Sequence, residues 1–299
     1  MSLLVVGSVA LDTVQTPYGE ATEVLGGSAV YFSFAASFFT PVRLMSVVGE
    51  DFPHEHVELL VSRKIDASGL LPVPGRTFRW SGRYAGAMNA AETLSVELNV
   101  FGHFDPKVPE PFVDSRYVFL ANGPPAVQMR VLSQMRSPEL VVADTMNYYI
   151  REEPRAVAKV MGMVDGAVMN DAEARMMTGL ENLPLAGRKL LELGPKFVVI
   201  KKGEHGALLV TRKGFFALPA YPTTTVLDPT GAGDSFAGGM MGYLARAGKV
   251  NATELRRALA YGTVVASFNV EDFSLGRLQR ATSEEIEERY GALRRMVRF

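Results

Sequence analysis

The sequence predicts a doubly wound α/β protein, a mostly parallel sheet flanked by helices and carrying a small second β-sheet. Three observations lead there. The short β-rich runs are near-continuously apolar, as strands buried on both faces of a parallel sheet are. Segments of helical period separate them in the order β-α-β-α. One region breaks that order and alternates apolar with polar residues, as half-exposed antiparallel strands do.

In chain order, "LLVVGS" (3–8) is a buried strand, followed by a helix over 27–39, the strand run "VRLMSVVG" (42–49) and a helix over 53–63, on which "HEH" (54–56) is solvated. Then comes the exception. "TFRWSGRY" (77–84) puts Phe78, Trp80 and Tyr84 on one face and Arg79 and Arg83 on the other, and "TLSVELNV" (93–100) alternates Leu94, Val96, Leu98 and Val100 with polar residues. These runs predict a small sheet projecting from the main body, with strands at about 12–25 and 76–101, that covers a ligand or meets another subunit. Strands resume at "YVFLAN" (117–122), "LVVAD" (140–144), "GAVMN" (166–170) and "FVVIKKG" (197–203), with helices over 126–135, 152–162, 171–178 and 184–193. From residue 234 the pattern is helical, and "NATE" (251–254) and "TSEE" (282–285) read as capping boxes opening the last two long helices. Repeats, low-complexity tracts and linkers are absent, so 1–299 reads as a single domain.

Composition narrows the function. With 47% apolar residues the chain can build a large core. Its 31 basic and 32 acidic side chains give a formal net charge of −1, which favours neither nucleic acid nor an anionic membrane as a partner, so an anionic ligand must be held locally. The sequence has no cysteine, which excludes disulfides and thiolate metal sites and is compatible with a reducing cytoplasm. The opening "MSLLVVGSVALD" lacks a basic n-region, and the apolar stretch "GGSAVYFSFAASFF" stops at Pro41 after fourteen residues, too short to span a bilayer. The expectation is a soluble cytoplasmic protein. The four histidines show no metal-site spacing.

"VLDPTGAGDSFAGG" (226–239) is the stretch that suggests chemistry. A helix N-terminus has unpaired N–H groups and a partial positive charge, and glycines let a phosphate approach them. A carboxylate in the same turn, Asp234, would repel that phosphate unless it removes a proton from an attacking hydroxyl; otherwise it caps the helix. The stretch is not a Walker P-loop, and the first strand is not followed by G-x-G-x-x-G.

"DPTGAGDSFAGG" resembles the C-terminal signature of the ribokinase-like, or PfkB, carbohydrate and nucleoside kinases. "GSVALD" (7–12), "GGSA" (26–29), "VGEDF" (48–52), "NDAE" (170–173) and "KKGEHGALL" (201–209) are similar to further motifs of that family and occur in its order. The resemblance implies an ATP- and Mg²⁺-dependent phosphotransferase acting on a sugar or sugar-like molecule, with a nucleoside as the alternative acceptor, and leaves open a monovalent cation such as K⁺. A non-catalytic sugar or nucleotide sensor is the reading from another class.

The implied roles fall on particular positions. Asp234 matches the catalytic base, with the backbone of Gly231, Ala232 and Gly233 as the anion hole. Asp12, Gly26 and Gly27 match the acceptor side, though each also suits an ordinary turn. Asn170 and Glu173 match the motif that places Mg²⁺ and phosphates, Glu173 acting through water, and the same letters make a capping box. Lys201, Gly203 and Gly206 match the nucleotide-side hairpin, or simply turn a hairpin. The projecting strands match a lid that often mediates dimerisation. Two departures put a ribose acceptor in doubt: Ala10 stands where ribokinase has a polar side chain, and Ser28, Ala29, Val30 and Tyr31 replace a lysine-glycine-alanine-asparagine run. Met146, Tyr148, Tyr149, Phe78 and Trp80 offer either a stacking surface for a base or core.

Overall fold

The computed structural model describes residues 2–298. The chain starts with β1 (Leu3–Val6), leaves the main sheet for the hairpin β2 (Ala10–Thr16) and β3 (Gly19–Gly26), and returns through α1 (Ser28–Ser37) to β4 (Val42–Gly49), α2 (His54–Ser62) and β5 (Ile65–Val73). A second excursion, β6 (Phe78–Tyr84) and β7 (Ala91–Glu97), precedes β8 (Tyr117–Leu120), α3 (Pro125–Leu132), β9 (Leu140–Ala143), α4 (Asn147–Glu152) and α5 (Pro154–Met161). β10 (Gly166–Asn170), α6 (Asp171–Thr178), α7 (Leu183–Leu191), β11 (Phe197–Lys201), β12 (Ala207–Thr211) and β13 (Gly214–Leu218) complete the strands. Four helices close the chain: α8 (Ala232–Ala247), α9 (Ala252–Asn269), α10 (Gly276–Arg280) and α11 (Ser283–Met296).

The apolar runs form a nine-stranded sheet in the order β13-β12-β11-β10-β9-β8-β1-β4-β5, parallel except for the β11-β12-β13 meander. Successive strand residues serve opposite layers. Leu3 and Val5 join α1, α8 and α9 in one core, while Leu4 and Val6 join α3, α5 and α7 in the other. β1 lies between β4 and β8, so the strand order reverses there, and ligands of open α/β sheets sit beyond the carboxyl ends of the strands at such a point.

The excursions pair as a four-stranded sheet, β3-β2-β6-β7. It is not wholly antiparallel, as its alternating runs predict: β2 and β6 run parallel, from Ala10 opposite Phe78 to Gln15 opposite Arg83. They come from separate excursions that leave the main sheet in the same direction, a relation that no local pattern encodes. Leu94 is the extra residue of a bulge between β6 and β7, and the second strand ends at Glu97 rather than continuing to Val100.

The capping expectations divide. Thr282 and Glu285 form a complete box at α11. At α9 the Asn251 side chain accepts from the Thr253 and Glu254 N–H groups, but the Glu254 carboxylate does not return to the cap; it accepts the Tyr243 hydroxyl at 2.5 Å. Among the described residues no helix is long and apolar enough to cross a membrane.

Candidate active site

At the carboxyl end of β1, Ser8 organises the start of α1. Its Oγ accepts the Ser28 N–H at 3.0 Å and its carbonyl accepts that of Ala29 at 3.0 Å. The chain enters the helix through Gly27 at φ 95°, where a Cβ would stand 2.5 Å from the Ser8 carbonyl oxygen, so glycine is required. Asp12, on β2, packs against this turn. Its Oδ2 accepts the Gly27 N–H at 3.3 Å, and a Cβ on Gly26 would lie 1.9 Å from that same oxygen. The "GGSA" glycines are therefore the space in which the Asp12 carboxyl sits. Asp12 is 3% exposed, and burial, reinforced by Asp228 and Asp234 and offset by the Gly27 N–H, pushes its carboxyl up to about 7.

The glycine-rich turn is braced from below. The Asp228 carboxylate accepts the N–H groups of Thr230 at 2.8 Å and Ser274 at 3.2 Å. Asn269, the last residue of α9, donates to the Thr230 carbonyl at 2.7 Å and accepts the Ser235 hydroxyl at 3.0 Å. Gly231 turns the chain into α8 at φ 74°, with the Tyr31 ring where its Cβ would be, 2.3 Å from that position. The Ala232 N–H donates to the Pro229 carbonyl at 3.1 Å and the Asp234 N–H bonds its own carboxyl, so Gly233 presents a first-turn N–H for which the α8 backbone holds no acceptor. The Asp234 carboxyl is half-buried, and desolvation, with Asp144 adding and Lys201 opposing, raises it to about 7.

Lys201 comes to the same place from the end of β11. Its Nζ bonds Asp144 Oδ2 at 2.9 Å and lies 3.0 Å from where a Gly233 Cβ would be. Asp144 directly follows β9, is 3% exposed, and holds its other oxygen on the Thr145 N–H at 2.7 Å. Burial works against the charge on Lys201, but Asp144, Glu173 and Asp234 outweigh it and keep its pKa above the ordinary lysine value.

Asn170 stands in register with Lys201 across the sheet. Its side chain accepts the Glu173 N–H at 2.8 Å while Glu173 Oε2 accepts the Asn170 N–H at 2.7 Å, a complete capping box on α6. Glu173 is nevertheless more than a cap. Its carboxyl is 6% exposed and is raised by burial and by Asp144, against the pull of Lys201. Gly203 and Gly206 shape the β11–β12 connection, where the Lys202 N–H meets the Gly206 carbonyl at 2.7 Å.

Asp12, Asp234, Glu173 and Lys201 thus converge at the carboxyl ends of the strands, while Gly203 and Gly206 border them on a hairpin. Asp144 and Asn269 had no assigned role in the sequence. The signal for Asp144 was its place at a strand end, and its meaning depends on a lysine 57 positions later. Of the aromatic candidates, Tyr149 is core, Phe78 stacks on Phe101 at 5.7 Å, and Tyr148 and Met146 are exposed. Trp80 differs, since it pairs directly with Asp12 across β2 and β6 and shares its face of the small sheet. Tyr84, two residues on, reaches the glycine-rich turn, where the Thr230 hydroxyl donates to its phenol oxygen at 3.3 Å.

The chain matches the model of the pfkB family carbohydrate kinases over residues 2–280. It is 32% identical over 252 residues to the cytidine kinase of Thermococcus kodakarensis, covering 81% of this chain and 88% of that one. It is 28% identical over 293 residues to the nucleoside kinase of Methanothermobacter thermautotrophicus, covering 90% and 89%. The crystal structure of Methanocaldococcus jannaschii nucleoside kinase, an archaeal member of the ribokinase family, superimposes with a TM-score of 0.78 over 97% of this chain and 98% of that one, at 20% identity. With that match spanning nearly its whole length, the chain belongs to the pfkB family of carbohydrate kinases and is a phosphotransferase of ribokinase fold.

Proposed function

We propose that this kinase transfers the γ-phosphate of ATP to a hydroxyl of a nucleoside, with Asp234 as the base. The observation that carries the reading is the Asp234 carboxyl at the head of α8, held near neutrality beside the Lys201 ammonium and the first-turn N–H groups. A base is most effective when its pKa lies near the working pH. The acceptor hydroxyl gives its proton to the Asp234 carboxylate as its oxygen bonds the γ-phosphorus, the bond from that phosphorus to the β,γ-bridging oxygen breaks, and ADP leaves with that electron pair. Charge on the transferred group falls beside the backbone of Gly231, Ala232 and Gly233, where the largest side chain is a methyl, and where Lys201 stands.

The residues present fit ATP and Mg²⁺. Two phosphate-facing glycines, a helix N-terminus and a buried lysine make an anion site. Among the described residues no group of three or more His, Asp or Glu side chains is arranged to hold a metal. Both Asp144 oxygens are engaged, and Glu173 holds one oxygen in its cap, so Mg²⁺ would be held through phosphates and water, with Glu173 as an outer partner. Bound there, the ion supplies charge neutralisation on the phosphates. A monovalent cation such as K⁺ is a further activator to be assayed.

Asp12 takes acceptor hydroxyls, and Trp80, on the same sheet face, offers a ring against which a base stacks. The chain's two wide-coverage relatives, a cytidine kinase and a nucleoside kinase, favour the nucleoside over a free sugar. The small sheet acts as the lid of one single-domain kinase. Its edge strand β7 exposes Leu94 at 41% and Val96 at 50%, with Leu98 just beyond at 39%, the surface through which two copies would form a homodimer. A net charge of −1 and the lack of cysteine support a cytoplasmic enzyme with neither nucleic acid nor membrane as partner.

The test is ADP formation from ATP and Mg²⁺ with cytidine, inosine, ribose, deoxyribose and inositol, while Trp80 fluorescence reports acceptor binding. The highest kcat/KM is expected with a nucleoside, with Trp80 fluorescence changing at saturation. A preference for ribose or deoxyribose would make the protein a sugar kinase, and acceptor-independent nucleotide binding without turnover would make it a sensor.

A further inference from the structure

The "VGEDF" run takes no part in the proposed chemistry, yet its aspartate ties the main sheet to the small one. Asp51 lies just beyond β4, and its Oδ1 accepts both the N–H and the hydroxyl of Thr77 at 2.7 Å. Thr77 is fully buried, directly precedes β6, and accepts the Gly49 N–H on its hydroxyl oxygen at 3.0 Å. The other Asp51 oxygen meets Nη1 of Arg79 at 2.8 Å. Arg79 continues the chain of bonds: Nη1 also donates to the Thr77 carbonyl at 3.1 Å, and Nε donates to Glu23 Oε1 at 2.7 Å. Burial raises the Asp51 carboxyl, but the Thr77 and Arg79 donors outweigh it and hold the group below its ordinary value. Glu23 reaches this cluster through an unusual backbone. Its φ is 48°, a left-handed conformation that a glutamate rarely adopts. It sits in a β-bulge, where Thr22 and Glu23 fall between the Asp12–Val24 and Val14–Ala21 pairs and the Glu23 N–H donates to the Thr13 hydroxyl at 3.2 Å. A bulge re-aims a side chain, and this one sends the Glu23 carboxylate across β2, the strand between β3 and β6, to Arg79.

We propose that Asp51, Arg79 and Glu23 are positioning residues of the acceptor side, a clamp that fixes β2 and β6 against the main sheet so that Asp12 and Trp80 meet the same acceptor. The inference rests on the kinase reading above and goes beyond it by giving three residues outside the site a part in acceptor binding. None of them touches the acceptor. Arg79 stands opposite Leu11 and Trp80 opposite Asp12, so the clamp crosses one face of β2 while the acceptor groups occupy the other. β2 and β6 belong to separate excursions and share no turn, so nothing in their own connection sets their height over the main sheet. A planar guanidinium that bonds the main body, the start of β6 and the β3 bulge at once does set it, and a lysine ammonium, a single point of charge on a flexible stem, would not.

Glu23→Gln and Arg79→Lys test this, with the acceptor whichever of cytidine, inosine, ribose and deoxyribose wild-type enzyme turns over best. The Glu23 side chain is 54% exposed, so Glu23→Gln should fold with a melting temperature close to wild type. Its acceptor KM should nevertheless rise about two- to fivefold, and that of Arg79→Lys about tenfold, as charge-assisted bonds of the clamp are lost. The KM for ATP should stay unchanged in both, because the bonds run to the acceptor-side strands. Hydrogen exchange at the amides of β2 and β6 should quicken in the same order. An unchanged acceptor KM in both variants, or an equal rise in the KM for ATP, would overturn the inference and confine the cluster to stability. No turnover of any of the four acceptors by wild type would remove the kinase reading itself.

Discussion

The acceptor side and the phosphate side of the site each bury carboxyl groups, but they treat the charge differently. Asp12 on the acceptor side has one N–H donor at 3.3 Å and no lysine or arginine, and near pH 7 it is poised between carboxylate and acid. On the phosphate side Asp144, Glu173 and Asp234 surround Lys201, which stays charged because of them. A neutral polyol asks only for hydrogen bonds, which a carboxyl near its pKa can both accept and donate. A nucleotide brings several negative charges, and in the proposed function the fixed ammonium would meet them without reorganisation. The difference teaches that the two halves of this fold are specialised in electrostatics before any ligand arrives.

Removing the cation should break that contrast most severely. Lys201→Met leaves the Asp144 and Glu173 carboxyls buried with no opposite charge, and loss of one partner of a buried pair costs about 3–5 kcal/mol. The melting temperature should drop steeply and ATP affinity should be lost; a wild-type melting curve would mean that the pair contributes nothing to the fold.

Titration separates the halves next. Asp12 and Asp234 have folded pKa values of about 7 against 3.8 for the unfolded chain, so the native state binds more protons than the unfolded state between these values. Their contribution to stability is complete below the unfolded value and is lost as pH rises through the folded one. Thermal stability should therefore fall between about pH 4 and pH 7, a window above the titration of the depressed carboxyl of Asp51. Asp12→Asn should flatten the slope in part. A stability that rises across this window would contradict the burial of uncompensated carboxyls.

A subtler change concerns Glu173. Glu173→Gln keeps an oxygen for the Asn170 N–H, so α6 should stay capped while the group able to ionise towards Mg²⁺ is removed. The Mg²⁺ concentration for half-maximal turnover should rise severalfold with little change in melting temperature. A lower melting temperature with an unchanged Mg²⁺ requirement would confine Glu173 to capping.

Much of this was legible in the sequence, for identifiable reasons. The main sheet is visible because strands buried on two faces must be apolar throughout, and β1, β8 and β9 are. The turn at 228–234 is visible because it needs glycines and a carboxylate close together in sequence. Lys201–Asp144 is not, since a strand-end aspartate looks like any turn residue until its partner's strand is placed two positions away in the sheet. The parallel β2–β6 pairing depends on two distant excursions meeting, which period-2 patterning leaves undetermined.

The most direct test of the account is Asp234→Asn, measured for turnover, ATP affinity and melting temperature on one preparation. Asparagine keeps the size but takes no proton from the acceptor; the N-cap of α8 is Gly231 and no side chain caps it, so the capping alternative for Asp234 does not hold. Turnover should fall by ~10²–10⁴, the range of general acid–base catalysis, with folding little changed. ATP should bind as well or more tightly, because a negative charge beside the γ-phosphate is gone while Lys201 and the Gly231–Gly233 backbone remain. Wild-type turnover would contradict Asp234 as the base and with it the division of labour described for this site.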